Sequence, residues 1–349
     1  MNPKNPAEIP AAPRSGGSLE GRFLVVGGRQ RPDALARPEW QRHERGLILE
    51  VSPAGVVGQR FEYLSPPEAI PESPDFAVLF KAATLAGDAL WVPTATEVLG
   101  LRLPTFERFA YLSLPSFNDL HHVRPTARGT LLVVSTGLDL VQELELSGRV
   151  LREWSTLAEA PWARFDHATD YRKVATTKPH SCHPNYAFEA DGEIWVTRFE
   201  QRDAWCLTAP ERRIALDVER PHDGIVVGRR VYFTTVDGRV VVASLDSDRV
   251  ERVVDLNRLS GSELALGWCR GLAVLASGRV VVGFSRLRPT RFRENVRWVK
   301  HRLGLAAKAG NLPSRIACFD LEAEQLLWEQ DLESEGLSAV FSIHPQPEP

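Results

Sequence analysis

Short apolar segments rich in β-branched residues recur along this chain and constrain its fold more than any other feature. One set lies between residues 220 and 256, where three apolar segments are separated by a two-residue turn and by Asp237-Gly238, and a fourth follows. Glycine in such turns supplies the positive φ that tight hairpins require. The pattern predicts four antiparallel strands in succession, a meander of about 40 residues.

Similar units occupy the rest of the chain. His183 and His222, which begin two successive units, lie 39 residues apart, and His222 and Cys269 lie 47 apart. Repeated four-strand units of this length are typical of the blades of a β-propeller. A chain of 349 residues with 43% hydrophobic residues can fold as one large all-β domain. We therefore expect a single propeller domain over residues 21–349, with polar insertions at 158–179 and 286–313.

The two ends of the chain fit together in this interpretation. The first unit has only three apparent strands, at 22–28, 46–52 and 56–64, whereas the apolar segment 338–344 has no unit of its own. If that last segment supplies the innermost strand of the first blade, the ring closes without an open sheet edge. The predicted fold is an all-β six-bladed β-propeller closed by pairing of its N- and C-terminal strands.

Two segments depart from the strand pattern. Residues 1–20 are rich in Pro, Ala and Gly and contain no apolar stretch, which predicts a disordered leader and no secretory signal. In 291–305, apolar residues recur at steps of four, three and four, as on one face of a helix, and basic residues cover the other face. This short helical insertion in the last blade could be a lid over an anionic substrate, a surface for anionic lipid or nucleic acid, or a solvated face.

Composition narrows the possible functions. The net charge of −3 gives no sign of a nucleic-acid binder, and no apolar run approaches the length of a membrane span. The four cysteines are scattered without metal-binding spacing, which, without a signal peptide, favours the reducing cytoplasm. The chain has neither a Walker A sequence nor a G-x-S-x-G nucleophile elbow. We expect a cytoplasmic protein that binds a small-molecule substrate.

Histidines concentrate at the predicted starts of the innermost strands. Aligning these strands by their apolar pattern gives one position shared by His121, His183, His222 and Cys269. The next position is occupied by His122, Pro184, Asp223 and Arg270, and the corresponding residue of the second blade is Lys81. Because innermost strands of a propeller begin near its axis, these side chains are expected to converge on a central pocket.

Three imidazoles at the axis predict a metal centre. His121, His183 and His222 would bind one divalent ion (Zn, Fe or Mn) and leave a coordination position open, as in catalytic sites. One alternative is structural, because a histidine at a strand start can bond a backbone carbonyl of the next blade and fix blade packing. Another is that these histidines line a polar binding pocket without a metal.

The other polar residues suggest roles in a reaction. His122 or Asp223 would move a proton near the metal, and Arg270 and Lys81 would hold an anionic group. The long insertions at 30–45, 158–179 and 286–313 could form a lid on the same face, with His167, Tyr171, Arg172 and Lys173 facing inward, or they could be solvated surface loops. The tryptophans in or beside strands, expected in the core between blades, are Trp91, Trp195, Trp268 and Trp328.

Two hypotheses about function follow. The first is a metal-dependent enzyme of lyase, isomerase or hydrolase type, acting on a small anionic metabolite in the axial pocket. The second is a non-catalytic propeller that binds a protein or small-molecule partner through its top-face loops.

The blade layout and ring closure resemble the six-bladed propeller group that includes gluconolactonases, paraoxonases and strictosidine synthase-like proteins. The resemblance covers about residues 21–347. Calcium enzymes of that group use Glu, Asn and Asp ligands near the axis, whereas this chain has His121, His183 and His222 there. Its histidine-rich axis is more similar to propeller lyases such as peptidyl-hydroxyglycine lyase, or to the four-histidine iron of carotenoid oxygenases. Residues 269–272 also resemble a segment of uncharacterised bacterial propeller families.

Overall fold

The computed structural model describes residues 21–73, 75–286 and 312–346. Within these residues, 24 strands form six antiparallel sheets of four strands each. This confirms the predicted all-β six-bladed propeller. The expected leader at 1–20 and the expected helix at 291–305 lie outside the described residues.

Each sheet forms one blade. The first blade contains β1 (Arg22–Gln30), β2 (His43–Val51), β3 (Val57–Tyr63) and the last strand of the chain, β24 (Ala339–Gln346). The second contains β4 (Thr84–Ala86), β5 (Ala89–Pro93), β6 (Val98–Arg102) and β7 (Glu107–Leu112). The third contains β8 (Leu120–Pro125), β9 (Leu131–Ser135), β10 (Leu140–Leu144) and β11 (Val150–Ser155).

The other three blades follow in chain order. The fourth contains β12 (Pro184–Ala190), β13 (Glu193–Arg198), β14 (Asp203–Cys206) and β15 (Arg213–Ala215). The fifth contains β16 (Ile225–Val227), β17 (Arg230–Thr235), β18 (Arg239–Ser244) and β19 (Arg249–Asp255). The sixth contains β20 (Trp268–Val274), β21 (Val280–Ser285), β22 (Arg315–Asp320) and β23 (Gln325–Asp331).

Helical structure in the described residues is limited to short pieces. One α-helix, α1, spans Leu256–Ser260. Turns of 3₁₀-helix lie at Ala34–Ala36, Glu39–Gln41, Pro67–Ala69, Thr136–Leu138 and Tyr171–Lys173.

The hydrophobic core lies between neighbouring blades. In β9, Leu131 and Val133 pack against the second blade, whereas Leu132 and Val134 pack against the fourth. Side chains alternate across a strand, so a strand in the middle of a blade buries both of its faces. This explains why such segments are apolar at every position and do not alternate with polar residues.

The first blade joins the two ends of the chain. β24 pairs antiparallel with β1, from Arg22 opposite Gln346 to Gly28 opposite Ala339. Gly27 permits this approach, because a Cβ atom on it would overlap the carbonyl oxygen of Ala339. The segment that had no unit of its own in the sequence is therefore a strand of the first blade.

Two further predictions can be compared with the structure. No helix in the described residues is long and apolar enough to cross a membrane. All four cysteines are buried as free thiols.

Candidate functional site

A cavity of about 790 Å³ lies on the propeller axis, and we call it the axial cavity. At its base is a small void that all six blades reach. From the first blade to the sixth, the residues at this void are Phe341, Ala82, His121, Asn185, His222 with Asp223, and Arg270. The predicted convergence of the innermost strands on one central pocket is therefore present in the structure.

Irregularities at the starts of innermost strands direct several of these side chains inward. The pairing register shifts between Leu120 and His122 in β8, and between Pro184 and Tyr186 in β12. A β-bulge of this kind bends the strand and turns the residue inside it. His121 and Asn185 are the residues inside the two shifts, and both face the axis.

The same effect changes the predicted alignment. Asn185, and not His183, is the residue of the fourth blade at the base of the cavity, while His183 lines the wall just before β12. In β20 the register shifts between Cys269 and Leu272, which leaves Cys269 in the hydrophobic core and Arg270 at the axis.

Four side chains on the cavity floor form a continuous hydrogen-bonded chain, which we call the relay. Asn185 donates from Nδ2 to the carbonyl of Pro221 (2.8 Å), so its Oδ1 accepts from Nδ1 of His121 (2.6 Å). His121 is therefore protonated on Nδ1, and its Nε2 accepts from Nζ of Lys81 (3.3 Å). The same Lys81 ammonium donates to Oδ1 of Asp119 (3.0 Å).

Burial and charge set the protonation of the relay. Burial lowers the pKa of Lys81, although Asp119 opposes the shift. Burial would raise the pKa of Asp119, but Lys81 and His121 bring it well below its usual value. Burial and the neighbouring Lys81 lower the pKa of His121 to about 4. At neutral pH the relay therefore contains a neutral imidazole beside an ion pair.

His183 belongs to a second group on the cavity wall. Its Nδ1 lies 2.8 Å from Nδ1 of His180, and its ring meets that of His121 edge-on with centroids 4.8 Å apart. Burial lowers the pKa of both His180 and His183, the latter well below its usual value. One of the two facing nitrogens donates and the other accepts, because two protonated imidazoles could not share this contact.

The buried carboxylate of Asp139 holds the segment that carries these histidines. It accepts hydrogen bonds from three successive backbone amides, those of Ser181 (3.0 Å), Cys182 (3.2 Å) and His183 (2.7 Å). Arg164 pairs with the same carboxylate. These bonds support His183 in a left-handed conformation, with φ of 57°, which a non-glycine residue seldom adopts.

His222 also lies on the cavity wall. The indole of Trp268 donates to Nε2 of His222 at 3.1 Å, and Phe199 lies between the rings of His183 and His222. Burial places the pKa of His222 well below its usual value. The sequence predicted that Trp268 would lie in the core between blades. In the structure it lines the cavity.

The three histidines predicted to bind a metal all line the axial cavity, but each has a ring nitrogen bonded to another protein group. Within the described ranges, no three His, Cys, Asp or Glu side chains are grouped so that they could hold a metal ion. The arrangement of His121, His183 and His222 thus gives no support to the metal centre, which stays a prediction.

The two predicted bases lie deeper than the cavity surface. His122 is fully buried: its Nδ1 accepts from the amide of Ala187 (3.2 Å), its Nε2 faces the hydroxyl of Thr84 (3.0 Å), and its ring stacks on Tyr186. This placement does not support a catalytic base, because both nitrogens hold neighbouring blades together.

Asp223 lies at the small void. It accepts from the Thr234 hydroxyl and, at 3.0 Å, from the amide of Gly271. Burial raises its pKa to about 6.

Arg270 and Lys81, the predicted anion-binding residues, both reach the cavity. The guanidinium of Arg270 lies 4.1 Å from the centroid of the Phe341 ring, and Nζ of Lys81 lies 5.0 Å from the same centroid. One aromatic ring from β24 therefore supports both cationic groups, as cation–π contacts do.

The loop at 30–45 and the insertion at 158–179 form the mouth of the cavity. Glu39 and Trp40 line it from one side and residues 175–179 from the other, and Lys178 pairs with Glu39 at 2.9 Å. The four residues expected to face inward from the second insertion do not line the cavity. Tyr171 packs in the core below the insertion, and Lys173 donates to the carbonyls of Pro67 and Ile70.

Sequence reasoning missed several residues of the cavity, among them Asn185, Trp268 and Phe341. The signal available for Phe341 was its place in the closing strand, since an innermost strand contributes to the axis. Nothing local distinguishes Asn185, because its inward direction depends on the bulge in β12.

No protein-family model matches this chain, and no curated protein matches it. Among solved structures, a protein of unknown function from Bacteroides caccae is similar, with a TM-score of 0.60 and 14% identity over 94% of this chain and 100% of that one. A nidogen/laminin complex is similar with a TM-score of 0.53 and 7% identity, over 92% of this chain and 97% of that one. A catalytically inactive virginiamycin B lyase from Staphylococcus aureus with quinupristin has a TM-score of 0.44 and 12% identity, over 68% of this chain and 69% of that one. At these identities the likeness of the first two shows the propeller fold alone, and the group that includes gluconolactonases has no family-level match.

Proposed function

We propose that this protein is an enzyme that transfers protons on a small anionic metabolite bound in the axial cavity, in a lyase or isomerase type of reaction. The observation that carries the proposal is the relay of Asn185, His121, Lys81 and Asp119 on the cavity floor. A neutral imidazole of fixed tautomer next to an ammonium–carboxylate pair can both accept and donate a proton.

The charge of the cavity supports an anionic substrate. Lys81, Lys178, Arg220, Arg270 and Arg286 line it, against the carboxylates of Glu39, Asp119 and Glu200. Arg270 is nearly buried on the ring of Phe341, and a guanidinium in such a place binds a carboxylate or phosphate in a defined orientation.

The first test is ligand binding. We expect small carboxylates or phosphate monoesters to raise the thermal unfolding midpoint of the wild-type protein, and Arg270→Gln to abolish that increase. Arg230→Gln is the matched control, because Arg230 forms an exposed ion pair with Glu251 on the fifth blade. If no anion stabilises the wild type, an anionic substrate is ruled out. If Arg270→Gln responds as strongly, Arg270 does not bind the anion.

The second test separates catalysis from binding. Anions that bind are incubated with the protein in D₂O, and exchange of carbon-bound hydrogen is followed by proton NMR. We expect exchange in the wild type and a decrease of about 100-fold in His121→Gln, because general acid–base groups contribute on that order. Binding without exchange would favour the non-catalytic alternative, and loss of exchange after chelation would favour the predicted metal.

A further inference from the structure

We infer that Lys81 forms a Schiff base with a small carbonyl compound that carries a carboxylate, such as a 2-oxo acid. The inference rests on the proposed function, because it names the substrate class and the attacking group at the same cavity.

The position of Lys81 is the first observation. Its side chain is 10% exposed, and that exposed part borders the floor of the axial cavity. The other two lysines of the described residues have different surroundings: Lys178 pairs with Glu39 at the mouth, and Lys173 binds carbonyls outside the cavity. Lys81 is therefore the lysine that a small molecule on the axis would meet.

The second observation is that Nζ of Lys81 touches two proton acceptors. Oδ1 of Asp119 lies 3.0 Å away, and the unprotonated Nε2 of His121 lies 3.3 Å away. A lysine attacks a carbonyl only as the free amine, so a group must take its proton and return it later. Burial lowers the pKa of Lys81 and so also favours the free amine.

The step balances without any other reagent. Asp119 or His121 takes one proton from the ammonium, and the nitrogen lone pair forms a bond to the carbonyl carbon. The carbonyl oxygen gains a proton, giving a carbinolamine, and after a second protonation it leaves as water. Two of the three ammonium protons depart in the water and one stays on the iminium nitrogen, so nothing is oxidised or reduced.

The third observation concerns the carboxylate. The guanidinium of Arg270 and Nζ of Lys81 both lie within about 5 Å of the centroid of the Phe341 ring, at 4.1 and 5.0 Å. A molecule whose carbonyl and carboxylate are adjacent can place the former at Lys81 and the latter toward Arg270.

Reductive trapping tests the inference. The full-length protein is incubated with pyruvate and sodium cyanoborohydride, and adducts are located by peptide mass spectrometry. We expect an adduct on the peptide containing Lys81 in the wild type, and a signal at least about tenfold lower in Lys81→Arg, which keeps the cation beside Asp119 but has no primary amine. Lys173→Met is the matched control and should be labelled at Lys81 like the wild type.

Arg270→Gln and acetaldehyde complete the design. Arg270→Gln should reduce labelling by pyruvate more than labelling by acetaldehyde, which has no carboxylate. Labelling spread over several lysines, or unchanged overall in Lys81→Arg, would overturn the inference. If carboxylates stabilise the protein and exchange protons but none is trapped at Lys81, the inference fails while the proposed function stands. If no anion binds, both fail.

Discussion

At the scale of single residues, Asp139 shows how a group outside the cavity determines the shape of its wall. A buried carboxylate that accepts three successive amides and an arginine replaces the water those groups would otherwise bind. It thereby fixes the backbone on which His180 and His183 face each other. Asp139 is a positioning residue, since it does not line the cavity.

We expect Asp139→Asn to lower the free energy of unfolding by about 2–4 kcal/mol. The substitution removes the buried charge paired with Arg164, and the NH₂ group of the new side chain would face backbone amides that are themselves donors. Urea denaturation measures the loss, and limited proteolysis should show faster cleavage within residues 175–183. Glu159→Gln is the control, because Glu159 binds the same Arg164 near the surface and should cost less than about 1 kcal/mol. Equal stability of the two variants would contradict this account of Asp139.

Residue types could be predicted at the axis, but not all of their directions. Lys81, His121, His222 and Arg270 lie on the cavity as expected, because the innermost strands begin near the axis in this architecture. His122 lies between blades, because its ring stacks on Tyr186 and its nitrogens meet Ala187 and Thr84 of the neighbouring blades. Its role in proton transfer stays a prediction. Bulge positions are set by packing between blades, which a single sequence does not reveal.

At the scale of elements, strands were predictable where both faces are covered by neighbouring blades, as in β9. Segments shaped by their surroundings were not. β4 has only three residues, and the segment before it, which carries Lys81, runs along the axis without joining a sheet as a strand. The pairing of β24 with β1 followed from counting strands, since one blade lacked a strand and one strand lacked a blade.

The contact between β1 and β24 gives a prediction at this scale. In Gly27→Ala, the added methyl group would collide with the backbone at Ala339, so β24 must shift, at a cost of about 1–3 kcal/mol. Gly58→Ala in β3 is the matched control, because open space surrounds the corresponding position there. Thermal and urea unfolding of the two variants should differ by that amount, and equal stabilities would mean that β24 does not pack against Gly27.

At the scale of the whole molecule, the buried histidines tie stability to pH. Burial lowers the pKa values of His121, His122, His180, His183 and His222, so the unfolded chain binds protons that the folded chain excludes as the pH falls below about 6.5. Stability from neutral imidazoles is thus complete above that pH and is lost toward pH 4. Burial also lowers the pKa of His344, to about 4. Asp223, with its pKa raised to about 6, acts in the opposite sense, but it is one group against six.

We therefore expect the free energy of unfolding to fall between pH 6.5 and 5 with a slope above about 1.4 kcal/mol per pH unit, the value for one proton. Urea denaturation at several pH values measures it. His122→Gln should have a shallower slope, and the exposed His167→Gln should match the wild type. A flat profile, or one that rises toward acid, would show that the imidazoles are not held neutral by burial.

The strand that completes the first blade also carries Phe341, on which Lys81 and Arg270 rest. Among the described residues, β24 follows the other 23 strands, so during synthesis it leaves the ribosome after them. A growing chain can assemble most of its blades while its axis still lacks one side. Completion of the first blade and completion of the axial cavity are thus a single event, and a chain without β24 lacks the ring on which Lys81 and Arg270 rest.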